Sequence, residues 1–126
     1  MVFDTNFLVS LAGQSKRLPR SRALAFRDNH AAAASYIARV TALEFEAGFD
    51  SAAQAAPHLA AFTILPVDED VWKIATLLFR KLRRDGLPIG LADTLIAAIA
   101  LAYGLPLVTD NAEHFRRVRG LKVHGF

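Results

Sequence analysis

Between Leu87 and Val108 the chain carries one charged side chain, Asp93, set in the run Gly90-Leu-Ala-Asp-Thr-Leu-Ile-Ala-Ala-Ile-Ala-Leu-Ala-Tyr103. A helix of that composition has no polar face to offer water, so it must be covered all round, by lipid or by protein. Gly90 at one end and Gly104-Leu-Pro106 at the other leave it shorter than the roughly 20 apolar residues a bilayer span needs. The stretch is therefore predicted to be a buried core helix, from about Leu91 to Tyr103. An unpaired ionised carboxylate inside such a helix costs several kcal/mol or more. Asp93 must have a partner or stand at an edge.

The rest of the chain alternates short apolar strands with helices. Val2-Phe3 reads as a strand ending at Asp4, followed by a short helix from Asn6 to Ala12 and the loop Gly13–Arg20. Ser21 is placed to cap a second helix running to Arg27. Ser35–Val40 has strand character, and Thr41-Ala-Leu-Glu44 reads as a capping box opening a helix. Thr63–Leu65 is a third strand. Asp68 caps a long amphipathic helix in which Val71, Ile74, Ala75, Leu78 and Leu82 share a face, and Gly86 ends it. Pro106–Thr109 and Leu121–Val123 supply two further strands. Strands separated by helices imply crossover units, hence an α/β fold with a mostly parallel sheet of about five strands covered on both faces. Ligands in such folds bind outside the carboxyl ends of the strands.

No repeat, linker or composition break divides residues 1–126, which read as a single domain. The hydrophobic share of 53% owes much to alanine and does not indicate a membrane protein. The absence of cysteine excludes disulfides, thiolate metal sites and thiol nucleophiles, and suits a reducing compartment. Met-Val-Phe-Asp has neither the basic nor the apolar segment of a signal peptide. A soluble, cytoplasmic location is expected.

Four acids have the right placement for chemistry, and each also has an ordinary structural explanation. Asp4 suits an N-cap, Glu44 the third helical position of the capping box, Asp93 a cap for its own helix, and Asp110 with Asn111 a turn. Asp4, Glu44 and Asp110, however, follow the ends of strands that share one edge of a parallel sheet, and Asp93 begins a helix whose first turn is packed inside. Clustered carboxylates repel one another and acquire raised pKa values unless a cation neutralises them. Mg²⁺ or Mn²⁺ favours such oxygen ligands. The four histidines, His30, His58, His114 and His124, show no ligand spacing.

The formal net charge is +3, from 15 basic and 12 acidic residues. Setting the four acids aside leaves 8 acidic residues against 15 basic ones. The basic residues cluster at Lys16, Arg17, Arg20 and Arg22, at Arg80–Arg84, and at Arg116–Arg119. Each cluster also suits a solvated surface, and the second suits the C-terminal end of a helix dipole. An acidic pocket rimmed by cations suits a phosphodiester substrate.

The motifs resemble those of PIN-domain ribonucleases. Met-Val-Phe-Asp4-Thr-Asn6 looks like the family's opening. Val40-Thr-Ala-Leu-Glu44-Phe-Glu-Ala-Gly48 matches its second motif, in which the acid stands four residues before a glycine, so that Glu44 rather than Glu46 is the match. Gly86–Ala98, with Asp93, resembles the third motif, and Leu107-Val-Thr-Asp-Asn-Ala-Glu-His-Phe115 the fourth, with Val118–Val123 closing the pattern. In order and spacing these cover nearly the whole chain, and the compact length looks most like VapC-type toxins of type II toxin–antitoxin pairs.

The resemblance implies a flavodoxin-like α/β/α sandwich and an endoribonuclease dependent on Mg²⁺ or Mn²⁺. It also implies a homodimer, a VapB-like antitoxin partner, no membrane association, and an RNA substrate such as tRNA or rRNA. Asp4 and Asp93 would be primary metal ligands, with Glu44 binding directly or through water. Asp110 or Asn111 would complete the site, the family's fourth acid often falling at the position of Asn111. Asn6 and Thr109 would hold ligands or phosphate by hydrogen bonds, and Lys16, Arg17, Arg20 and Arg22 would meet RNA. Two other classes compete. A HAD-type phosphatase also ends its first strand in a nucleophilic Asp, although its third motif position is here Asn6 and no well-placed lysine motif follows. A PIN-fold module could also bind RNA or protein without cleaving.

Overall fold

A computed structural model describes all 126 residues. Five strands, β1 (Val2–Phe3), β2 (Tyr36–Ala38), β3 (Thr63–Leu65), β4 (Leu107–Val108) and β5 (Val123–His124), form one sheet in the order β3-β2-β1-β4-β5. Every pairing is parallel. The strands are short, and flanking residues extend the ladder. The Asp4 N–H donates to the Val108 carbonyl at 3.1 Å and the Thr109 N–H to the His124 carbonyl at 3.0 Å. The chain leaves β1 for β2 on one side and takes up β4 on the other, so the strand order reverses between β1 and β4. That gap is where a doubly wound sheet opens a crevice at its carboxyl edge.

Alternation along the strands sends Val2, Ala38 and Leu107 to one face, and Phe3, Ile37 and Val108 to the other. The first face packs on α5 (Glu69–Arg84) and α6 (Leu91–Ala102), with Phe115 of the short α7 (Ala112–Phe115). The second packs on α1 (Thr5–Leu11), α2 (Arg20–Asn29), α3 (Arg39–Glu46) and α4 (Ala52–Leu59). Phenylalanines fill this second layer, with Phe3 and Phe7 ring centroids 4.4 Å apart. The expected three-layer sandwich is thus present, with α6 buried from Thr94 to Ala100. No helix is long and apolar enough to cross a membrane.

Several local expectations need correction. The capping box at Thr41 does not form. The chain turns helical at Arg39, Ala38 is the N-cap without a side-chain bond, and the buried Thr41 hydroxyl has no partner. Val40, expected in the strand, packs against the core from the helix instead, because burial outweighs its β-branched preference. Helix α2 likewise begins at Arg20 with Pro19 as N-cap, so Ser21 falls in the first turn and caps nothing. Helix α4 has no counterpart in the sequence pattern. It is alanine-rich with Pro57 inside, and only Ala55 and Leu59 mark its buried side. Asp68, by contrast, caps α5 as expected, accepting the Val71 N–H at 2.9 Å. Gly86 follows α5 at φ 70°, a left-handed conformation that favours glycine.

Candidate functional site

Asp4 is delivered by β1 to the carboxyl edge and is 5% exposed. It caps α1, accepting the Phe7 N–H on Oδ1 at 3.0 Å, while the Thr109 hydroxyl donates to Oδ2. Thr109 lies beside Asp4 because Phe3 pairs with Val108 in the ladder. Its hydroxyl oxygen accepts the Asn111 N–H at 3.0 Å, which leaves its proton for Asp4. The capping and site readings of Asp4 are therefore compatible. One carboxylate serves both.

Asp93 is the third residue of α6 and is half-buried. It does not cap that helix. Gly90 is the N-cap, at φ 87° and ψ 163°, a region open in practice only to glycine. Asp93 instead places Oδ2 3.0 Å from Nε2 of His114. Glu44 lies on the exposed side of α3 and accepts a hydrogen bond from the Thr5 hydroxyl through Oε2. Asp4, Glu44 and Asp93, together with Thr5 and Asn6, line one open cavity of about 560 Å³.

Asp110 does not line that cavity. Its side chain is 3% exposed and pairs through Oδ2 with Arg17, while Oδ1 is buried without a partner. The basic cluster is correspondingly divided. Arg17 is held on Asp110, and Arg22 donates to the Phe126 carbonyl and lies over its ring. Lys16 and Arg20 are exposed. Asn111 is exposed and N-caps α7 without a side-chain bond, and Asn6 is exposed at the cavity wall. The contacts of Thr5 with Glu44, Arg17 with Asp110 and His114 with Asp93 join residues 39, 93 and 21 positions apart, which no local pattern signals.

Burial, above all, pushes the Asp4 carboxyl up to about 6; the Thr109 and Phe7 hydrogen bonds oppose it, and the charges of Asp93 and Glu44 add to it. Burial likewise raises Asp93, opposed by His114 and reinforced by Glu44. Burial and neighbouring negative charge thus disfavour ionised Asp4 and Asp93, the condition a divalent cation relieves, and the oxygens of the three acids are the hard donors that Mg²⁺ and Mn²⁺ prefer. As placed, no three His, Asp or Glu side chains are gathered closely enough to hold one ion between them. The site fits such a cation in donor chemistry and in charge.

The sequence profile of the PIN domain matches residues 1–121. Ribonuclease VapC1 of Rickettsia felis is 41% identical over 63 residues, covering 49% of this chain and 46% of that protein, so the match spans about half the relative's length. Ribonuclease VapC1 of Methanocaldococcus jannaschii is 32% identical over 93 residues, 70% of this chain and 68% of that protein. In three dimensions the chain is similar to VapBC2 of Rickettsia felis, solved bound to a promoter DNA fragment, with TM-score 0.82, 23% identity and coverage of 99% and 98% of the two chains. The profile match over nearly the full length, and a relative matched across two thirds of both chains, establish that this chain belongs to the PIN domain family.

Proposed function

We propose that this PIN domain is a divalent-metal-dependent endoribonuclease and the toxin of a type II toxin–antitoxin pair. The observation that carries the reading is the lining of one cavity at the carboxyl edge by Asp4, Glu44 and Asp93. The relatives named as VapC ribonucleases add support.

Asp4 and Asp93 would supply the principal oxygen ligands to Mg²⁺ or Mn²⁺, and Glu44 a further one. A cation bound there would acidify a coordinated water and offset charge on the phosphate. Thr109 keeps Asp4 oriented by giving it a proton to accept. Glu44 is the most exposed of the three. Hydrolysis forms a bond from a water oxygen to phosphorus and breaks the bond to the leaving ribose oxygen, which takes up a proton. Lys16 and Arg20 are free to meet backbone phosphates, whereas Arg17 must first leave Asp110. Asp110, held by Arg17, and Asn111 stand outside the cavity lining.

The partner reading rests on α5 and the start of α6. Trp72 and Leu91, 46% and 60% exposed, line a groove of about 550 Å³ with Phe79, Arg83 and Arg84, and Leu77, 64% exposed, lines a separate hollow with Trp72. Such a face suits a second copy of the chain or an antitoxin segment. Val71, by contrast, is wholly buried and belongs to the core.

The deciding experiment incubates a cellular RNA pool with wild type and Asp4→Ala, with Mn²⁺, with Mg²⁺ and with chelator, and maps the cut ends. Metal-dependent cuts absent from the variant are expected. RNA binding with no cleavage under any metal would overturn the nuclease reading in favour of a binding module. Hydrolysis of small phosphate esters through a phosphorylated Asp4 would overturn it in favour of a phosphatase.

A further inference from the structure

His114 is absent from the set of acids, yet it is the side chain that touches Asp93. Its Nε2 lies 3.0 Å from Oδ2 of Asp93 and 3.0 Å from the carbonyl oxygen of Ile89. Both neighbours are acceptors, so Nε2 must carry a proton whether the ring is neutral or charged. A bare nitrogen would set its lone pair against two oxygens. The ring is 23% exposed and stands on α7, the turn of helix that follows β4.

The same segment grips the entrance to α6 a second time. Arg117 donates to the Pro88 carbonyl at 3.2 Å, next to the carbonyl that His114 holds. This matters because α6 starts without a side-chain cap. Gly90 turns the chain into the helix in its glycine-only conformation, and the Thr94 hydroxyl closes back on the Gly90 carbonyl at 2.6 Å. Asp93 sits in the first turn of a helix whose entrance would otherwise be fixed by the Gly90 turn alone. A single imidazole therefore anchors the backbone four residues before Asp93 and sets its ring nitrogen against the carboxylate.

We infer that His114 is a positioning residue for Asp93, its ring nitrogen at once bonded to the turn that presents Asp93 to the cavity and set against the carboxylate's Oδ2. The inference rests on the proposed role of Asp93 as a metal ligand. Outer partners that orient metal-binding groups typically contribute about 10–100-fold to affinity or activity. His114 leaves the second oxygen of Asp93 outside this contact, which is the arrangement a ligand held from behind requires.

The test compares His114→Ala with His114→Gln, whose amide can still donate. Folding is checked by thermal unfolding, Mn²⁺ affinity is measured calorimetrically without RNA, and kcat and KM are measured with RNA. A third readout is the ¹³C shift of the Asp93 carboxyl carbon in metal-free protein, assigned by its loss in Asp93→Asn. His114→Ala is expected to weaken Mn²⁺ binding about tenfold or more and lower kcat with little change in KM. It should also move the Asp93 signal, and His114→Gln should recover most of each loss. Unchanged Mn²⁺ affinity and an unmoved Asp93 signal in folded His114→Ala would overturn the positioning role while leaving the nuclease reading intact. Equal losses in both variants would overturn it too, as the mark of a packing role. Wild type that neither binds Mn²⁺ nor cuts RNA, with the Asp93 signal still responding to His114→Ala but not to His114→Gln, would sink the nuclease reading and keep the positioning role.

Discussion

Strands β1 and β4 lie side by side, end at the same edge and are each followed within two residues by an aspartate whose side chain is buried, yet the two acids have different surroundings. Asp4 enters the cavity with both oxygens accepting hydrogen bonds, whereas Asp110 turns to Arg17 and keeps one oxygen unpartnered. The register explains the difference. Phe3 pairs with Val108, so the neighbour of Asp4 is Thr109, and Asp110 lies one residue farther on, in the bend past β4, where its side chain meets Arg17. Position at a carboxyl edge brings an acid near a site. A single residue of register decides whether it enters.

The sharpest way to break this comparison is by activity. Asp93→Asn and Asp4→Ala are expected to lower RNA cleavage by more than about 100-fold, beyond what outer partners contribute, and Asp110→Asn by less than about tenfold. Gel assays at saturating Mn²⁺ measure both, and equal losses would restore Asp110 to the site proper.

Stability offers the next contrast. Asp4 has an ordinary value of 3.8 and is raised to about 6 in the fold, so the folded chain binds this proton more tightly than the unfolded one. Its favourable contribution is full below about pH 4 and is lost as pH rises through about 6. In chelator, Asp4→Asn should therefore be more stable than wild type at pH 8, by up to about 3 kcal/mol, with the gap closing toward pH 4. Asparagine keeps the cap through Oδ1 and, like a protonated aspartate, removes the charge, while its amide replaces the oxygen that accepts from Thr109. Urea unfolding at several pH values measures the gap, and Mn²⁺ should narrow it at pH 8.

Asp110 gives the complementary result. Arg17→Ala strands its buried charge and should cost about 1–2 kcal/mol, less than a fully buried pair because the guanidinium is largely exposed. The double variant Arg17→Ala with Asp110→Asn should recover part of that loss in the same unfolding assay. The smallest effect is expected at Thr41→Val, which replaces an unpartnered buried hydroxyl with a methyl of similar shape. It should be neutral or slightly stabilising by thermal unfolding.

Alternation of strands and helices, a mostly parallel sheet and the placing of Asp4, Glu44 and Asp93 toward one edge were legible in the sequence because each follows from spacing along the chain; the sheet is parallel throughout, and the three acids line one cavity. Asp68 and Gly86 bounded α5 for the same reason: a cap and a left-handed turn are local chemistry. The failures share an opposite origin. Thr41 and Glu44 have capping-box spacing, but tertiary packing drew Arg39 and Val40 into the helix first and displaced the box. Alanine gave α4 no pattern to read. The partners of the acids, His114, Thr5 and Arg17, come from distant segments, and only the fold brings them together.

The alanines of α6 have a consequence for how this molecule can be damaged. Ala97, Ala98 and Ala100 are at most 1% exposed, packed between the sheet and α5, whereas Phe3, Phe7 and Phe45 fill the opposite layer. Truncating Phe7 would hollow out its layer at about 3–5 kcal/mol. At the α6 alanines nearly every substitution adds bulk, and overpacking displaces helices at typically about 1–3 kcal/mol. One half of the protein fails by emptying and the other by crowding. Since α6 carries Asp93, crowding there also shifts an acid of the site, so variants of this helix should lose activity before they lose the fold.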